Sequence, residues 1–243
     1  MIRYLDHEGR RLAYRQQDGT APVILFLPGY MSDMEGAKAL ALEAWAASRG
    51  HGFRRFDYGG CGVSPGDFEA QSLADWRDDV LAMIDDLAPA PVILAGSSMG
   101  GWLMLLAALA RPDRVAGLVG IAAAPDFTDW GFSDADKAVI RTEGRLAETT
   151  PYGDDPYVTT RIFWESGEML KLLDGEIAID CPVRLLHGQA DPDVPWTIST
   201  RIAERLRSAD VQTVLVKGGD HRLSRDADLA LLTRTLSELV ESL

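Results

Sequence analysis

Continuous apolar runs alternate with segments of helical periodicity along most of this chain. The runs at 23–27 and 92–95 contain no polar residue, which is typical of strands buried on both faces. The full pattern predicts strands at 3–5, 12–17, 23–27, 52–56, 92–95, 115–123, 183–186 and 211–216, and helices at 36–48, 72–87, 99–110, 197–207 and from about 226 to the C-terminus. This alternation predicts an α/β fold with a mainly parallel central sheet and helices on both faces.

The periodicity weakens between residues 125 and 178. Gly, Pro, Asp and Thr interrupt several short helical stretches there, and the strand–helix alternation resumes only at residue 183. We interpret residues 125–178 as a helical cap inserted into one domain that spans residues 1–243. The sequence contains no internal repeat or linker that would indicate a second domain.

Ser98 is the predicted nucleophile. It lies at the centre of Gly96-Ser97-Ser98-Met99-Gly100, which fits G-x-S-x-G between a predicted buried strand and a predicted helix. In that turn the central serine is forced into a strained backbone conformation, and its side chain projects above the sheet edge. Ser97 is the competing hydroxyl, but its position predicts that it faces the sheet.

His221 is the predicted general base, because a serine hydroxyl needs a histidine within hydrogen-bond reach to become nucleophilic. The other three histidines are His7 in an N-terminal turn, His51 at the opposite end of the sheet, and His187 at the end of a predicted strand. His221 alone stands in a loop after the last strand, where a sheet of this type collects functional groups.

The acid that orients this histidine is expected between nucleophile and base, in another loop at a strand end. Asp191 fits best because it follows the strand 183–186 within a tight turn. Asp193, nearer the next helix, and Asp126, after the strand 115–123, are the alternatives.

Two backbone amides are predicted to stabilise the oxyanion of the tetrahedral intermediate. One is the amide of Met99, directly after the nucleophile. The other is the amide of Tyr30 in the turn Pro28-Gly29-Tyr30, where Gly29 permits close approach.

Charge and composition exclude several classes of partner. With 24 basic and 37 acidic residues the formal charge is −13, so we expect no nucleic-acid partner. No apolar run is long enough for a signal peptide or a membrane span.

The two cysteines lie far apart without metal-ligand spacing, so we expect neither a disulfide nor a metal site, and no cofactor. The cysteine pattern favours a reducing cytoplasm. Few lysines and many alanines favour a bacterial origin, with a mitochondrial matrix as the alternative; the oligomeric state is left open.

Several segments together resemble the α/β-hydrolase superfamily, and within it the mitochondrial palmitoyl-protein thioesterases, also described as acyl-glucuronide esterases. The segments that carry the resemblance are residues 28–32, 55–62, 96–104, 181–188 and 220–222. The resemblance spans both halves of the sheet domain and implies a triad of Ser98, Asp191 and His221. It is poor over residues 125–178, so it implies little about substrate preference there.

The cap segment, residues 125–178, contains seven of the chain's 19 aromatic residues. Trp130, Phe163 and Trp164 are the candidates for an acyl-binding pocket, although the same aromatics could serve only to pack the cap against the sheet domain. The segment also holds 12 acidic against five basic residues. This predicts weak activity on a highly anionic acyl-CoA and better activity on neutral or cationic esters and thioesters.

The combined pattern predicts a serine hydrolase that cleaves carboxylic esters or thioesters through an acyl-enzyme. Its partner would be a small-molecule or acylated substrate. One alternative is a small-molecule receptor on the same fold with negligible turnover. Others are another reaction of this fold, such as C–C bond hydrolysis, or Cys61 as the nucleophile.

Overall fold

A computed structural model describes residues 1–87, 89–150 and 156–243. The strands, in chain order, are β1 (Arg3–His7), β2 (Arg10–Gln17), β3 (Thr20–Leu27), β4 (His51–Phe56), β5 (Val92–Ser97), β6 (Val115–Ile121), β7 (Arg145–Glu148), β8 (Tyr157–Thr160), β9 (Val183–Gly188) and β10 (Val211–Val216). The helices are α1 (Ala37–Arg49), α2 (Leu73–Asp86), α3 (Met99–Ala110), α4 (Phe127–Trp130), α5 (Asp134–Glu143), α6 (Arg161–Met169), α7 (Thr197–Arg205) and α8 (Asp226–Glu241).

Eight strands form one sheet in the order β1-β2-β4-β3-β5-β6-β9-β10. Strand β2 runs antiparallel to both of its neighbours, and the remaining pairs are parallel. This confirms the predicted mainly parallel sheet. Because β3, β5, β9 and β10 run in the same direction, the loops that follow them meet at one edge.

Apolar side chains cover both faces of the sheet. In β3, Leu25 and Leu27 contribute to the core that includes α2, α3 and α7, whereas Ile24 and Phe26 contribute to the core with α1 and α8. The period-2 alternation of a strand places these neighbours on opposite faces. A continuous apolar run is therefore required wherever helices cover both sides, as predicted.

The cap segment is not purely helical. Besides helices α4, α5 and α6 it contains a two-stranded antiparallel ribbon of β7 and β8, which lies between α5 and α6 in the chain. Helix α5 begins with a capping box between Ser133 and Asp136 and ends at Gly144, whose φ of 84° is left-handed. The ribbon was not predicted because its strands have four residues each, too few to show a clear alternation.

None of the helices within residues 1–87, 89–150 and 156–243 is long and apolar enough to span a bilayer.

Candidate active site

Ser98 sits in a strained turn between β5 and α3. Its φ of 55° and ψ of −120° are unusual for a residue with a side chain. A Cβ at Gly96 would lie 2.3 Å from the carbonyl oxygen of Gly100, and one at Gly100 would lie 2.2 Å from the carbonyl oxygen of Leu27. Only glycine fits at these two positions, which is why the turn has the pattern G-x-S-x-G.

The structure brings together the three residues predicted as a triad. His221 Nε2 lies 3.2 Å from Ser98 Oγ, and His221 Nδ1 lies 2.8 Å from Asp191 Oδ2. The carboxylate can only accept, so Nδ1 carries the proton and Nε2 is left to accept from the serine hydroxyl. The geometry allows proton transfer from Ser98 to His221.

Backbone hydrogen bonds align the loops that carry Asp191 and His221. The amide of Gln189 donates to the carbonyl of Val216, and the amide of Ala190 donates to the carbonyl of Gly219, both at 2.9 Å. These bonds extend the β9–β10 pairing beyond the sheet edge. The acid and the base are therefore placed on two joined loops.

Asp191 is surrounded by hydrogen-bond donors. The backbone amides of Asp193 and Val194 donate to Oδ1 at 2.8 and 2.9 Å. Burial alone would raise the pKa of Asp191, but hydrogen bonds from His187 and His221 hold that pKa well below its usual value. The side chain is 1% exposed and that of His221 is 17% exposed, so the acid is shielded and the base reaches the solvent side.

Asp126 and Asp193, the two alternatives for the acid of the triad, lie in different environments. Asp126 is buried and accepts from the backbone amides of Leu172 and Leu173, so it ties the end of α6 to the end of β6. Asp193 is exposed and lies beside Asp191 and His221, with ligand atoms of the three residues within 4.8 Å of one another. Asp191 is hydrogen-bonded to Nδ1 of His221.

The turn predicted to supply one oxyanion donor lies against Ser98. A Cβ at Gly29 would be 3.3 Å from Ser98 Cβ, and the hydroxyl of buried Tyr58 donates to the carbonyl of Pro28 at 3.0 Å. No acceptor for the amides of Tyr30 and Met99 is found among the described residues. Their donation to a ligand oxygen stays a prediction.

The side chain of Tyr30 has a role that the sequence did not indicate. Its hydroxyl donates to the carbonyl of Val158 in β8 at 2.5 Å, and the amide of Val158 contacts Met31 Sδ at 3.4 Å. The Tyr30 ring also packs against Trp76 and Phe163. The turn beside the nucleophile is therefore attached directly to the ribbon of the cap segment.

A cavity of about 720 Å³ opens above Ser98 and His221. This volume is typical of small-molecule sites. Its aromatic walls are Phe26, Tyr30, Phe127, Trp130, Phe132 and Tyr157. Trp130 was predicted as a pocket residue and lines the cavity. Tyr152, counted among the aromatics of the cap segment, lies outside the described residues.

Phe163 and Trp164 do not line this cavity, so their assignment to the acyl pocket is corrected. Both are buried on α6. Phe163 packs against Trp76 of the sheet domain, with ring centroids 5.5 Å apart. Trp164 donates through Nε1 to the carbonyl of Thr128 at 2.9 Å. On an amphipathic helix these two residues face the protein, and their function is packing.

Cys61 has no features of a nucleophile. It is 6% exposed within the core of the sheet domain, and burial together with the charges of Asp57 and Asp79 raises its thiol pKa to about 12. Asp57 is a loop-closing residue, since its carboxylate accepts from the amides of Met34 and Val63.

Lys38, in the first turn of α1, provides a positive charge at the cavity. Its Nζ donates to the carbonyl of Arg222 at 2.5 Å, one residue after His221. Burial and the charge of Arg222 lower the pKa of Lys38 to about 8. No sequence motif indicated this residue, because only the packing of α1 against the His221 loop brings it to the site.

Comparison with known proteins identifies similar chains. Residues 19–161 match the family described as "Serine aminopeptidase, S33". Over 236 residues, covering 96% of this chain and 77% of the relative, the chain is 44% identical to the human mitochondrial palmitoyl-protein thioesterase ABHD10. The solved structure of mouse alpha/beta hydrolase domain-containing protein 10 has a TM-score of 0.94 at 40% identity and covers 100% of this chain and 99% of its own. A solved structure from Agrobacterium vitis S4 has a TM-score of 0.91 at 35% identity and covers 98% of this chain and 97% of its own.

The expected location is contradicted by these relatives. A bacterial cytoplasmic protein was predicted from few lysines, many alanines and the two isolated cysteines. The palmitoyl-protein thioesterases at 43–44% identity are instead mitochondrial proteins of mammals. The prediction was wrong because amino-acid composition carries a bias of the genome, whereas a compartment depends on targeting that composition does not encode.

Proposed function

Because the chain belongs to the α/β-hydrolases of the serine aminopeptidase S33 family, we propose that it is a serine esterase or thioesterase acting through an acyl-enzyme. The observation that supports this most strongly is the hydrogen-bonded series Ser98, His221 and Asp191, of which Ser98 and His221 line the cavity. A serine in a strained turn with a histidine base is suited to acyl transfer.

In the proposed acylation step, Ser98 Oγ attacks the carbonyl carbon of the substrate while its proton passes to His221 Nε2. Asp191 stabilises the imidazolium that forms, without taking the proton. The amides of Tyr30 and Met99 donate to the developing oxyanion. The tetrahedral intermediate then collapses, and His221 returns the proton to the departing alkoxide or thiolate. Ser98 is left as an acyl ester.

Deacylation uses the same groups in reverse. A water molecule takes the place of the leaving group, gives its proton to His221 Nε2, and attacks the acyl carbon. The second tetrahedral intermediate releases the carboxylic acid, and the proton returns to Ser98 Oγ. Each step transfers one proton through one histidine nitrogen, and none requires a cofactor.

We propose an acylated protein or a small acyl ester as the substrate class. The support is the name of the 44% identical relative, a palmitoyl-protein thioesterase, together with the aromatic lining of the cavity. An acyl glucuronide, which the resemblance of the sequence implies, is the second candidate within the same chemistry. The acidic cap segment favours neutral or cationic leaving groups.

Initial rates on p-nitrophenyl esters from acetyl to palmitoyl, with the Ser98→Ala rate subtracted at every chain length, test the proposal. We expect hydrolysis that depends on Ser98, with a chain-length optimum set by the cavity. Equal rates for both proteins would contradict the assignment of Ser98. Stoichiometric binding of an apolar ligand without turnover would favour the receptor alternative.

A further inference from the structure

His187 is a second histidine beside Asp191. It ends β9 next to Gly188, and its side chain is fully buried. The imidazole Nε2 lies 3.0 Å from the carbonyl oxygen of Val194 and 3.2 Å from Asp191 Oδ2. The other ring nitrogen, Nδ1, lies 2.7 Å from Ser199 Oγ in α7. Both ring nitrogens therefore have partners, and one partner is the proposed catalytic acid.

The surroundings fix the tautomer of this ring. A carbonyl oxygen and a carboxylate can only accept, so Nε2 must carry the proton. In the neutral ring Nδ1 then has a lone pair, and the hydroxyl of Ser199 must donate to it. Ser199 is 1% exposed, so no bulk water competes for that bond. The Nε2 proton of His187 is thus directed at the Val194 carbonyl and at Asp191 Oδ2, and the hydroxyl of Ser199 orients the ring from the other side.

The same ring also supports the other oxygen of Asp191 indirectly. Val194 accepts at its carbonyl from His187 and donates through its amide to Asp191 Oδ1 at 2.9 Å. Loss of the His187 donor would remove one contact to Oδ2 and the hydrogen bond to the Val194 carbonyl. The ring thus contacts one carboxylate oxygen directly and also binds the residue whose amide donates to the other.

We infer that His187, oriented by Ser199, is a positioning residue that holds the Asp191 carboxylate in line with His221. It touches neither substrate nor Ser98, and it acts only through Asp191 and Val194. The consequence is a series of five side chains, Ser199, His187, Asp191, His221 and Ser98, that leads from α7 to the nucleophile. This inference rests on the proposed function, since it assigns a role in the same triad.

Two substitutions separate positioning from packing. His187→Phe keeps a ring of similar size but removes the donor, whereas His187→Gln provides an amide N–H near the position of Nε2. We expect His187→Phe to lower kcat by about 10–100-fold, the range found for partners that orient metal-binding histidines, with KM changed less than about threefold. His187→Gln should recover most of that loss. His51→Phe, at the opposite end of the sheet, is the matched control and should leave kcat unchanged.

A spectroscopic signature tests the inference without turnover. The proton between His221 Nδ1 and Asp191 should give a far-downfield proton NMR resonance in the substrate-free protein. We expect His187→Phe to shift or broaden this resonance, and His187→Gln to retain it. If Ser98→Ala shows that turnover does not depend on Ser98, the proposed function fails, and this resonance still decides the role of His187.

Three outcomes would overturn the inference: wild-type kcat in His187→Phe, an equal loss of kcat in His187→Phe and His187→Gln, or an unchanged resonance in His187→Phe. If His187→Phe does not fold, Ser199→Ala becomes the deciding variant, because it keeps the ring and removes only the hydrogen bond at Nδ1 that orients it. A several-fold lower kcat at unchanged KM would then support the inference, and wild-type kcat would overturn it.

Discussion

The loops at the carboxyl edge of the sheet and the cap segment above them differ in how tightly their chemistry constrains their sequence. At the sheet edge, Ser98 requires particular neighbours, because a Cβ at Gly96 or Gly100 would collide with backbone. In the cap segment, aromatic side chains can either face the cavity, as Trp130 does, or pack inward, as Phe163 does. A reactive site therefore shows in the sequence as a short and specific motif, whereas the wall of a binding cavity shows only as a high content of aromatic residues.

The two regions are nevertheless physically connected. Tyr30 belongs to the turn beside Ser98, and its hydroxyl donates to Val158 in the ribbon of the cap segment. Burial raises the pKa of the Tyr30 hydroxyl well above its usual value, so it stays protonated and able to donate at any ordinary pH. The position of the ribbon can thus influence the turn that supplies an oxyanion donor.

The largest expected effect on kcat tests the assignment of Asp191, in the loops at the sheet edge, as the acid of the triad. Asp191→Asn should lower kcat by about 10⁴-fold, because the amide would stabilise the wrong tautomer of His221 and could not stabilise its imidazolium. Asp126→Asn should destabilise the fold and leave kcat of the folded protein unchanged, since Asp126 only ties Leu172 and Leu173. Steady-state kinetics on both variants decide between them. Full activity in Asp191→Asn with loss in Asp126→Asn would make Asp126 the acid.

The next effect separates packing from binding in the cap segment. Phe163→Ala should lower the free energy of unfolding by about 3–5 kcal/mol, because it opens a cavity among Tyr30, Trp76 and Phe127. The chain-length optimum on p-nitrophenyl esters should be retained. Denaturant unfolding and the ester series measure the two quantities. A shifted optimum without loss of stability would return Phe163 to the acyl pocket.

Trp130 provides the opposite case. Its ring lines the cavity and is held by a hydrogen bond from Nε1 to the carbonyl of Pro125 at 2.8 Å. Trp130→Ala should widen the cavity, change kcat/KM for long-chain esters by about tenfold, and move the chain-length optimum. Acetyl ester hydrolysis should change least, because a short chain does not reach the ring. An unaltered series would remove Trp130 from the pocket.

The negative charge of the cap segment predicts that substrates with anionic leaving groups are hydrolysed more slowly. The expected effect is smaller than that of Trp130→Ala. Palmitoyl-CoA should be hydrolysed several-fold more slowly than an uncharged palmitoyl thioester at low ionic strength, with the gap closing as salt screens charges over about 10 Å at 0.1 M. Parallel rate measurements over a salt series test this. Faster hydrolysis of palmitoyl-CoA would contradict it.

The smallest expected effect is that of the Lys38 charge on KM, and it depends on pH. Its pKa of about 8 means that the ammonium is charged below pH 8 and loses its charge as the pH rises above it. For an ester with an anionic acyl group, KM should therefore rise by about two- to fivefold from pH 7 to pH 9, relative to a neutral ester of equal length. Lys38→Met should abolish this difference, and a difference that persists would assign it to another group.

Much of the sheet could be predicted, because parallel strands covered on both sides must be apolar throughout, as at Ile24 and Leu25. The contacts of Ser98, Asp191 and His221 followed from chain order and strand ends. His187 could not be assigned, since its partner Ser199 lies on a helix whose packing no local pattern specifies. The clue available was its spacing, four residues before Asp191.

The assignment of Ser98 as the nucleophile is tested most directly by covalent labelling. The protein is treated with an alkyl fluorophosphonate, and the adduct is located by intact-mass measurement and peptide mapping. We expect one adduct per chain on Ser98, none in Ser98→Ala, and much slower labelling in His221→Ala. Labelling of Ser98→Ala at the wild-type rate, or an adduct on Cys61, would contradict the assignment.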